Sequence, residues 1–288
     1  MSMDQDWDIV SGVGITALFV AAAREIESTR PNRLINDPYA AVLVRAASVP
    51  VPLPGEGDEI EALWKGAIDY LGVRSRYFDD FFARCTASGV GQAVILASGL
   101  DTRAYRLDWP ESFRAFEIDQ PKVLEFKERV LSDHGTKPAC AHQMVPKDLR
   151  EDWAQALWQA GFDPAVPTAW LAEGLLPYLP AAAERGLVET VHSLSAPGSR
   201  VAVENVTSRA VLHQAAASEE AQRRWGVDIN ELFNHEQRPH AADLFGERGW
   251  RVSQEPTGAV IEEYGREITG PMATVADEGS MLIAELPS

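Results

Sequence analysis

The pattern of hydrophobic and polar positions divides the chain into a helical beginning and a core in which strands and helices alternate. Apolar residues recur at spacings of three and four, which predicts one helix through Ile15, Leu18, Phe19, Ala22 and Ile26. A second amphipathic helix is predicted where the same spacing links the apolar residues Tyr77, Phe78, Phe81, Phe82 and Cys85. Residues 50–57 are rich in proline and glycine and predict a surface loop. Residues 1–90 are therefore interpreted as an N-terminal helical cap.

After Gly89 the pattern changes to short apolar runs that are typical of buried strands in a parallel sheet. Such runs predict strands at residues 93–96, 113–118, 140–145, 168–172 and 199–206. The sequence Asp119-Gln120-Pro121 predicts a helix start, with Asp119 as the cap and proline at the first helical position. Strands that alternate with helices predict a doubly wound α/β fold, with ligand sites at the carboxyl ends of the strands.

Two further strands are predicted near the end of the chain, at residues 250–254 and 280–286. No helical pattern of convincing length lies between them, so we expect an antiparallel hairpin at the edge of the sheet. The whole chain is interpreted as one domain. It comprises the cap at 1–90, a cofactor-binding core at 91–204, a substrate lid at 205–245 and the hairpin at 246–288.

Charge and composition limit the partners and the kinds of binding site that are expected for this chain. The 288 residues include 26 Lys and Arg against 43 Asp and Glu, a formal net charge of −17. Because this surface repels phosphate groups, nucleic acids and anionic membranes are not expected as partners. Only Cys85 and Cys140 are available as thiols, and neither lies in a Cys/His cluster, so no metal site is predicted. With a polar N-terminus and no apolar run of membrane-helix length, a cytoplasmic protein is expected.

Candidate binding residues follow the predicted strands. A turn of small residues around Ala97 and Gly99 comes after the first strand, and Asp119 ends the second, about twenty residues later. A glycine turn without function and a solvated helix cap are the alternatives for these two features. Together they favour a nucleoside cofactor, because a carboxylate at this strand end can accept hydrogen bonds from ribose hydroxyls.

Further acids are expected to face the same crevice. Asp148, followed by Leu149, comes after the predicted strand at 140–145, and Glu173 follows the strand at 168–172. Several carboxylates would repel a dinucleotide pyrophosphate but suit a ligand that carries a sulfonium and an ammonium. This argument favours S-adenosylmethionine over a nicotinamide dinucleotide.

Seven segments, in order from about residue 11 to residue 180, read ITALFVAAAREIES, NDPYA, RSRYFDDF, LASGLDTRAYRL, FEIDQPKVLEFK, KDLRE and AEGLLPYL. In these segments the chain resembles the leucine carboxyl methyltransferase-like family, specifically its bacterial branch of S-adenosylmethionine-dependent methyltransferases. The resemblance implies a class I methyltransferase fold, which is a Rossmann-like sheet of seven mostly parallel strands whose last pair is antiparallel. It also implies an N-terminal cap and a lid insertion.

The resemblance implies a role for each matching residue. Gly99 would lie under the methionyl part of the cofactor, and Asp119 would bind the ribose hydroxyls. Asp148 and Leu149 would hold the adenine, and Glu173 would face the methionyl ammonium. An arginine of the cap would pair with the cofactor carboxylate. Arg76 is the first choice for that arginine, and Arg74 is the reserve.

One position departs from the family pattern, in which the turn reads Gly-x-Gly-Leu-Asp-Thr-Arg. Ala97 stands where the first glycine is usual. If this position needs a positive φ or touches the cofactor, the methyl group costs about 1–3 kcal/mol. A non-catalytic protein with a degenerate cofactor site is therefore one alternative. A nicotinamide-dependent oxidoreductase is disfavoured because GxGxxG is absent, and a hydrolase because Ser98 lacks a GxSxG context.

The resemblance implies an oxygen acceptor, either a carboxylate or a hydroxyl of a small molecule or natural product. A carboxylate needs no general base, whereas an alcohol or phenol does. No catalytic residue is identified. Tyr178 is a candidate for contact with the acceptor, with a packed tyrosine as the alternative. His192, His213, His235 and His240 are scattered and are not favoured as bases. The sequence does not define the acceptor or the oligomeric state.

Overall fold

The computed structural model describes residues 13–47, 58–206, 233, 234, 236, 240–269 and 271–287. Within these residues, seven strands form one sheet. They are β1 (Gln92–Leu96), β2 (Arg114–Asp119), β3 (Ala141–Pro146), β4 (Thr168–Ala172), β5 (Arg200–Val206), β6 (Arg251–Pro256) and β7 (Gly279–Glu285). The predicted loop at 50–57 and most of the predicted lid at 205–245 lie outside the described residues.

The strands are arranged in the order β3-β2-β1-β4-β5-β7-β6. The first five in this order are parallel, and β7 runs antiparallel to both of its neighbours. The predicted α/β fold with a seven-stranded, mostly parallel sheet is thus confirmed. The order reverses direction between β1 and β4, so the carboxyl ends of these two strands flank a crevice.

Helices precede the sheet, connect its strands and cover both of its faces. In chain order they are α1 (Val13–Thr29), α2 (Ala40–Ala46), α3 (Asp58–Ala87), α4 (Arg103–Arg106), α5 (Pro121–Asp133), α6 (Trp153–Gln159), α7 (Ala181–Ser193), α8 (Ala241–Gly246), α9 (Thr257–Glu263) and α10 (Pro271–Glu278), with a 3₁₀ turn at Leu176–Tyr178. None of the helices in these ranges has a stretch long and apolar enough to span a bilayer.

The apolar runs of the central strands reflect burial on both faces. In β1, Val94 and Leu96 pack into the core on one face, and Ala93 and Ile95 pack into the core on the other. Because successive side chains of a strand point to opposite faces, a strand between two helical layers needs apolar residues at every position. The edge strand β3 lacks the second neighbour and is correspondingly more polar and more exposed.

Both helices predicted in the first ninety residues are present. The five apolar residues chosen for the second helix are all buried in α3, where they pack in one cluster with Ala93 and Ile95 of the sheet. Helix α1 is held against α3 and α2. The predicted cap therefore includes α3 as a layer that covers one face of the sheet.

The end of the chain differs from the prediction. The strands at residues 250–254 and 280–286 are close to the observed β6 and β7, and they pair antiparallel as expected. However, they do not form a simple hairpin, because α9 and α10 lie between them. In addition, β7 inserts between β5 and β6, so the edge is formed by β6 alone.

Both cysteines are free thiols. Burial is the largest influence on each and raises the pKa of Cys85 to about 11 and that of Cys140 to about 12. Both groups are therefore protonated at neutral pH, the form in which a thiol is a poor nucleophile.

The turn after β1 contains an unusual backbone conformation. Among the described residues, Ala97 is the one non-glycine residue with a positive φ, at +49°. Gly99 follows with a φ of +51°. The usual family glycine is therefore replaced by alanine at a position where the backbone is left-handed.

We expect Ala97→Gly to stabilise the protein. The left-handed conformation costs an L-residue about 1–2 kcal/mol, and the extra unfolded-state entropy of glycine offsets about 0.4–1 kcal/mol of that gain. The melting temperature, measured by differential scanning calorimetry, should rise by a few degrees at most (about 2–4 °C per kcal/mol). The matched control is Ala93→Gly in β1, which should lower it. A decrease of equal size in both variants would contradict the conformational argument.

Candidate functional site

A cavity of about 370 Å³ opens at the carboxyl ends of β1, β2 and β4. Six of the seven residues predicted to bind a cofactor line it, namely Ala97, Gly99, Asp119, Asp148, Leu149 and Glu173. These residues come from four separate segments of the chain. Parallel strands bring them to the same edge of the sheet, as the sequence predicted.

The turn after β1 forms the floor of the cavity, and helix α1 forms one wall. A Cβ atom on Gly99 would lie 3.3 Å from the Cβ of Ala17 in α1. Its positive φ and this close contact together require glycine. Arg24 of α1, which was not predicted, also lines the cavity and donates to the carbonyl of Leu100 at 2.6 Å.

Asp119 is the last residue of β2, and its carboxylate is held by two backbone donors. The N–H of Gly99 donates to Oδ2 and the N–H of Gln120 donates to Oδ1, each at 2.6 Å. Burial is the largest influence and raises the pKa of Asp119 despite these bonds. The helix cap is Gln120 and not Asp119, so the predicted cap is wrong by one residue. Asp119 instead joins the β1 turn to the end of β2.

Asp148 and Leu149 follow β3 in the loop before α6. Asp148 accepts hydrogen bonds from the backbone N–H, Nε and Nη2 of Arg150, at 2.8, 2.9 and 2.6 Å. The hydrogen bonds from Arg150 hold the pKa of Asp148 below its usual value. Leu149 packs against the hydrophobic core. A carboxylate and an apolar side chain therefore lie side by side at this end of the cavity.

The two candidate arginines of α3 occupy different environments. The side chain of Arg76 is 45 % exposed, pairs with Asp80 at 3.0 Å, and does not line the cavity. The side chain of Arg74 is 9 % exposed and lines the cavity, and its Nε lies 2.9 Å from Oε1 of Glu173. The reserve choice, Arg74, thus lines the cavity and Arg76 does not, because a shift of two residues along a helix moves a side chain to the other side.

Glu204 of β5 was not predicted, and it forms a second ion pair with Arg74. Its Oε2 accepts from Nη1 of Arg74 at 2.9 Å and from the N–H of Gly174 at 2.7 Å. Its Oε1 accepts a hydrogen bond from the hydroxyl of Tyr70. A charged residue near the carboxyl end of an apolar strand was the available sequence signal.

Arg103 was also not predicted as part of the site. Its guanidinium is 1 % exposed and contacts Asp79, Asp101 and Glu173. Burial opposes its charge, but these carboxylates raise the pKa of Arg103 well above its usual value. Each of the four acids that line the cavity, Asp101, Asp119, Asp148 and Glu173, is therefore held by hydrogen-bond donors.

Glu117 lies near Asp119 in sequence but does not line the cavity. It forms a fully buried ion pair with Lys127 of α5, and its Oε1 lies 3.1 Å from Nε2 of His142. Burial opposes ionisation, but Lys127 and His142 hold the pKa of Glu117 below its usual value. Two residues apart in β2, Glu117 and Asp119 share a face of the strand, and only Asp119, at the carboxyl end, lines the cavity.

Tyr178 lines the cavity from the 3₁₀ turn after β4. Its ring lies 5.1 Å from that of Phe233, and its hydroxyl is hydrogen-bonded to Thr16 of α1. Burial raises the pKa of Tyr178 above its usual value. Phe233 belongs to the predicted lid, so Tyr178 contacts the described part of that segment.

Neither of the two candidate histidines within the described ranges, His192 and His240, lines the cavity. His192 accepts a hydrogen bond from Nε1 of Trp250 at 3.1 Å, and His240 caps α8. His213 and His235 lie outside the described residues. Among the described residues that line the cavity, none is a histidine.

Known proteins share much of this sequence. The family model for leucine carboxyl methyltransferase matches residues 17–192, more than half of the chain. A protein of Saccharopolyspora erythraea, provisionally named an S-adenosyl-L-methionine-dependent methyltransferase, is 54 % identical over 285 residues, covering 99 % of both chains. A protein of Mycobacteroides abscessus with the same provisional name is 46 % identical over 298 residues, covering 100 % of this chain and 96 % of that one.

Solved structures give a more distant likeness. A crystal structure described as a methyltransferase candidate from Thermobifida fusca has a TM-score of 0.55 and 16 % identity, and the match covers 94 % of each chain. At this identity the likeness concerns the fold alone. The sheet and its helical layers are therefore shared well beyond the range of clear sequence similarity.

Proposed function

Since this chain belongs to the leucine carboxyl methyltransferase family and is an S-adenosylmethionine-dependent methyltransferase, we propose that it methylates an oxygen atom of a small molecule, and that the acceptor is a carboxylate. The observation that carries this proposal is the cavity where the β1 turn, Asp119, Asp148 and Glu173 meet. A natural product that bears a carboxylate is the expected kind of acceptor.

The polar groups that line the cavity fit S-adenosylmethionine. Asp119 offers its remaining lone pairs to ribose hydroxyls, and both of its oxygens are already fixed by backbone N–H groups. Asp148 can accept from the adenine amino group while Leu149 packs on the ring. At the other end, Glu173 suits the methionyl ammonium and Arg74 suits the methionyl carboxylate, because each carries the opposite charge.

Ala97 does not argue for a degenerate site. Its backbone adopts the left-handed conformation that a glycine would adopt there. The N–H of Gly99 still reaches Asp119 at 2.6 Å. The turn therefore keeps its form, and the cost of alanine is local strain.

When bound, the cofactor supplies an electrophilic methyl group on a sulfonium. The residues of this chain then need only hold the acceptor oxygen in line and exclude water, since positioning accounts for much of the rate of such a displacement. A carboxylate acceptor is ionised at neutral pH and requires no proton removal.

The side chains around the cavity support a carboxylate over a hydroxyl. Among the described residues that line the cavity there is no histidine, and its four acids are held by donors. The pKa of Tyr178 is raised by burial, so its phenol is a poor base at neutral pH. A hydroxyl acceptor would need a general base that this part of the chain does not provide.

The acceptor class can be tested with tritiated S-adenosylmethionine and a panel of aliphatic and aromatic acids, each paired with its alcohol or phenol analogue. We expect label in the acids, released as methanol by mild base, because methyl esters are hydrolysed and methyl ethers are not. Base-stable label in the hydroxyl analogues would instead establish a hydroxyl acceptor. A protein that fails to bind S-adenosylhomocysteine in calorimetry would refute the cofactor site itself.

We expect Asp119→Asn to weaken S-adenosylhomocysteine binding by about 1–3 kcal/mol, because charge-assisted hydrogen bonds to the ribose are lost. Asparagine has one acceptor oxygen, whereas the carboxylate of Asp119 accepts from the N–H groups of both Gly99 and Gln120, so the melting temperature should also fall. Isothermal titration calorimetry and a thermal melt measure the two effects. The exposed Asp108→Asn is the control, and equal affinities for both variants would remove Asp119 from the ribose role.

The two arginines of α3 provide a second comparison. Arg74→Met should reduce the affinity for S-adenosylhomocysteine at least tenfold, or about 1.4 kcal/mol, because the methionyl carboxylate loses its cation. Arg76→Met removes an exposed ion pair with Asp80 and should leave the affinity nearly unchanged. Calorimetric titration of both variants measures the difference. The opposite ranking would return the role to Arg76.

A further inference from the structure

Arg103 is buried directly behind the cavity, at the first position of α4. Its side chain is 1 % exposed and does not line the cavity itself. A single nitrogen, Nη1, contacts two acids that do line it, Asp101 and Glu173, the latter at 2.7 Å. This guanidinium therefore touches the wall of the site from the side of the protein interior.

The other nitrogens of Arg103 are fixed by helix α3. Its Nε donates to Oδ1 of Asp79 at 2.7 Å, and its Nη2 donates to the carbonyl of Ser75 at 3.3 Å. Its own backbone N–H donates to Oδ1 of Asp101 at 2.6 Å. With contacts on every side, the guanidinium has one orientation, and that orientation sets where the carboxylate of Glu173 can lie.

Glu173 is clamped between two cations. Its Oε2 faces Arg103 and its Oε1 faces Nε of Arg74 at 2.9 Å. When the cofactor is bound, Arg74 is shared between Glu173 and the carboxylate of the ligand, so it constrains Glu173 less than Arg103 does. Arg103 binds no ligand group, because it does not line the cavity.

Arg103 also balances the negative charge of the acids around it. Burial alone would raise the pKa of Asp101, but Arg103, Lys127 and Arg24 hold that pKa at about 2. Without Arg103, the carboxylates of Asp101 and Glu173 would lose the guanidinium nitrogen that they share and would repel each other in a poorly solvated region.

We propose that Arg103 is a positioning residue, which keeps Glu173 aimed into the cavity to receive the ammonium group of the cofactor. This inference rests on the proposed function of the same site. Arg103 acts through Glu173 and does not contact the cofactor. It therefore governs recognition of the methionyl end and leaves recognition of the nucleoside end to Asp119 and Asp148.

The test compares two ligands that share the nucleoside end. S-Adenosylhomocysteine carries the amino-acid group, whereas 5′-methylthioadenosine lacks it. In Arg103→Gln we expect the affinity for S-adenosylhomocysteine to fall at least tenfold and that for 5′-methylthioadenosine to change less than threefold, by direct and competition calorimetry. Arg103→Lys keeps the charge and should recover part of the loss. It also carries the test if the glutamine variant does not fold.

An equal loss for both ligands would assign Arg103 a purely structural role, and an unchanged affinity for S-adenosylhomocysteine would overturn the proposal outright. Arg106→Lys is the matched control, because Arg106 binds the same Asp79 without touching Asp101 or Glu173. The affinity of the Arg106→Lys variant for both ligands should change less than threefold.

A double variant tests whether Arg103 acts through Glu173. Glu173→Gln alone should weaken S-adenosylhomocysteine binding, and adding Arg103→Gln should weaken it no further. Additive losses would contradict the proposed route. Failure of the unmodified protein to bind S-adenosylhomocysteine would refute the cofactor site and is thereby distinguished from a failure of the Arg103 inference.

Discussion

A carboxylate that leaves water needs a cation or several hydrogen-bond donors beside it, and the rest of this site depends on that requirement. Glu173 follows β4 and Glu204 lies near the end of the neighbouring β5, and both are matched by Arg74 of α3. Arg103 joins the same helix to the β1 turn through Asp79. Helix α3 thus supplies one cation of the site, Arg74, and fixes the other, Arg103, through Asp79, so it is as much a part of the site as the strands.

Much of the fold could be predicted because the central strands carry an unambiguous signal. Strand β4 was placed at its observed bounds, Thr168–Ala172, since Pro167 before it and Glu173-Gly174 after it limit a run of five buried residues. Helices α9 and α10 were missed for the opposite reason. They have only seven and eight residues and lie near Gly265 and Gly270, so neither is long enough for a helical period to be recognised.

The site was predicted where a strand end alone fixes a residue, and less well where side-chain direction decides. Asp119 and Glu173 reach the cavity because each is placed by the end of its strand. The choice between Arg74 and Arg76 depends on helical phase. Arg74 precedes Phe78 by four residues and so belongs to the buried stripe of α3, a relation that was present in the sequence. The pairing of Arg103 with Glu173 spans 70 residues and could not be read from local pattern.

The position of β7 has a consequence for how the chain reaches this fold. Strand β6 pairs only with β7 within the described sheet, and β7 also forms the contact that links β6 to β5. Residues 279–285 must therefore be available before the last third of the sheet can assemble, and their partners in β5 lie about eighty positions earlier. Pairings of such long sequence separation are slow to form. During synthesis, the cofactor crevice between β1 and β4 can take shape while this side of the sheet still has an open edge.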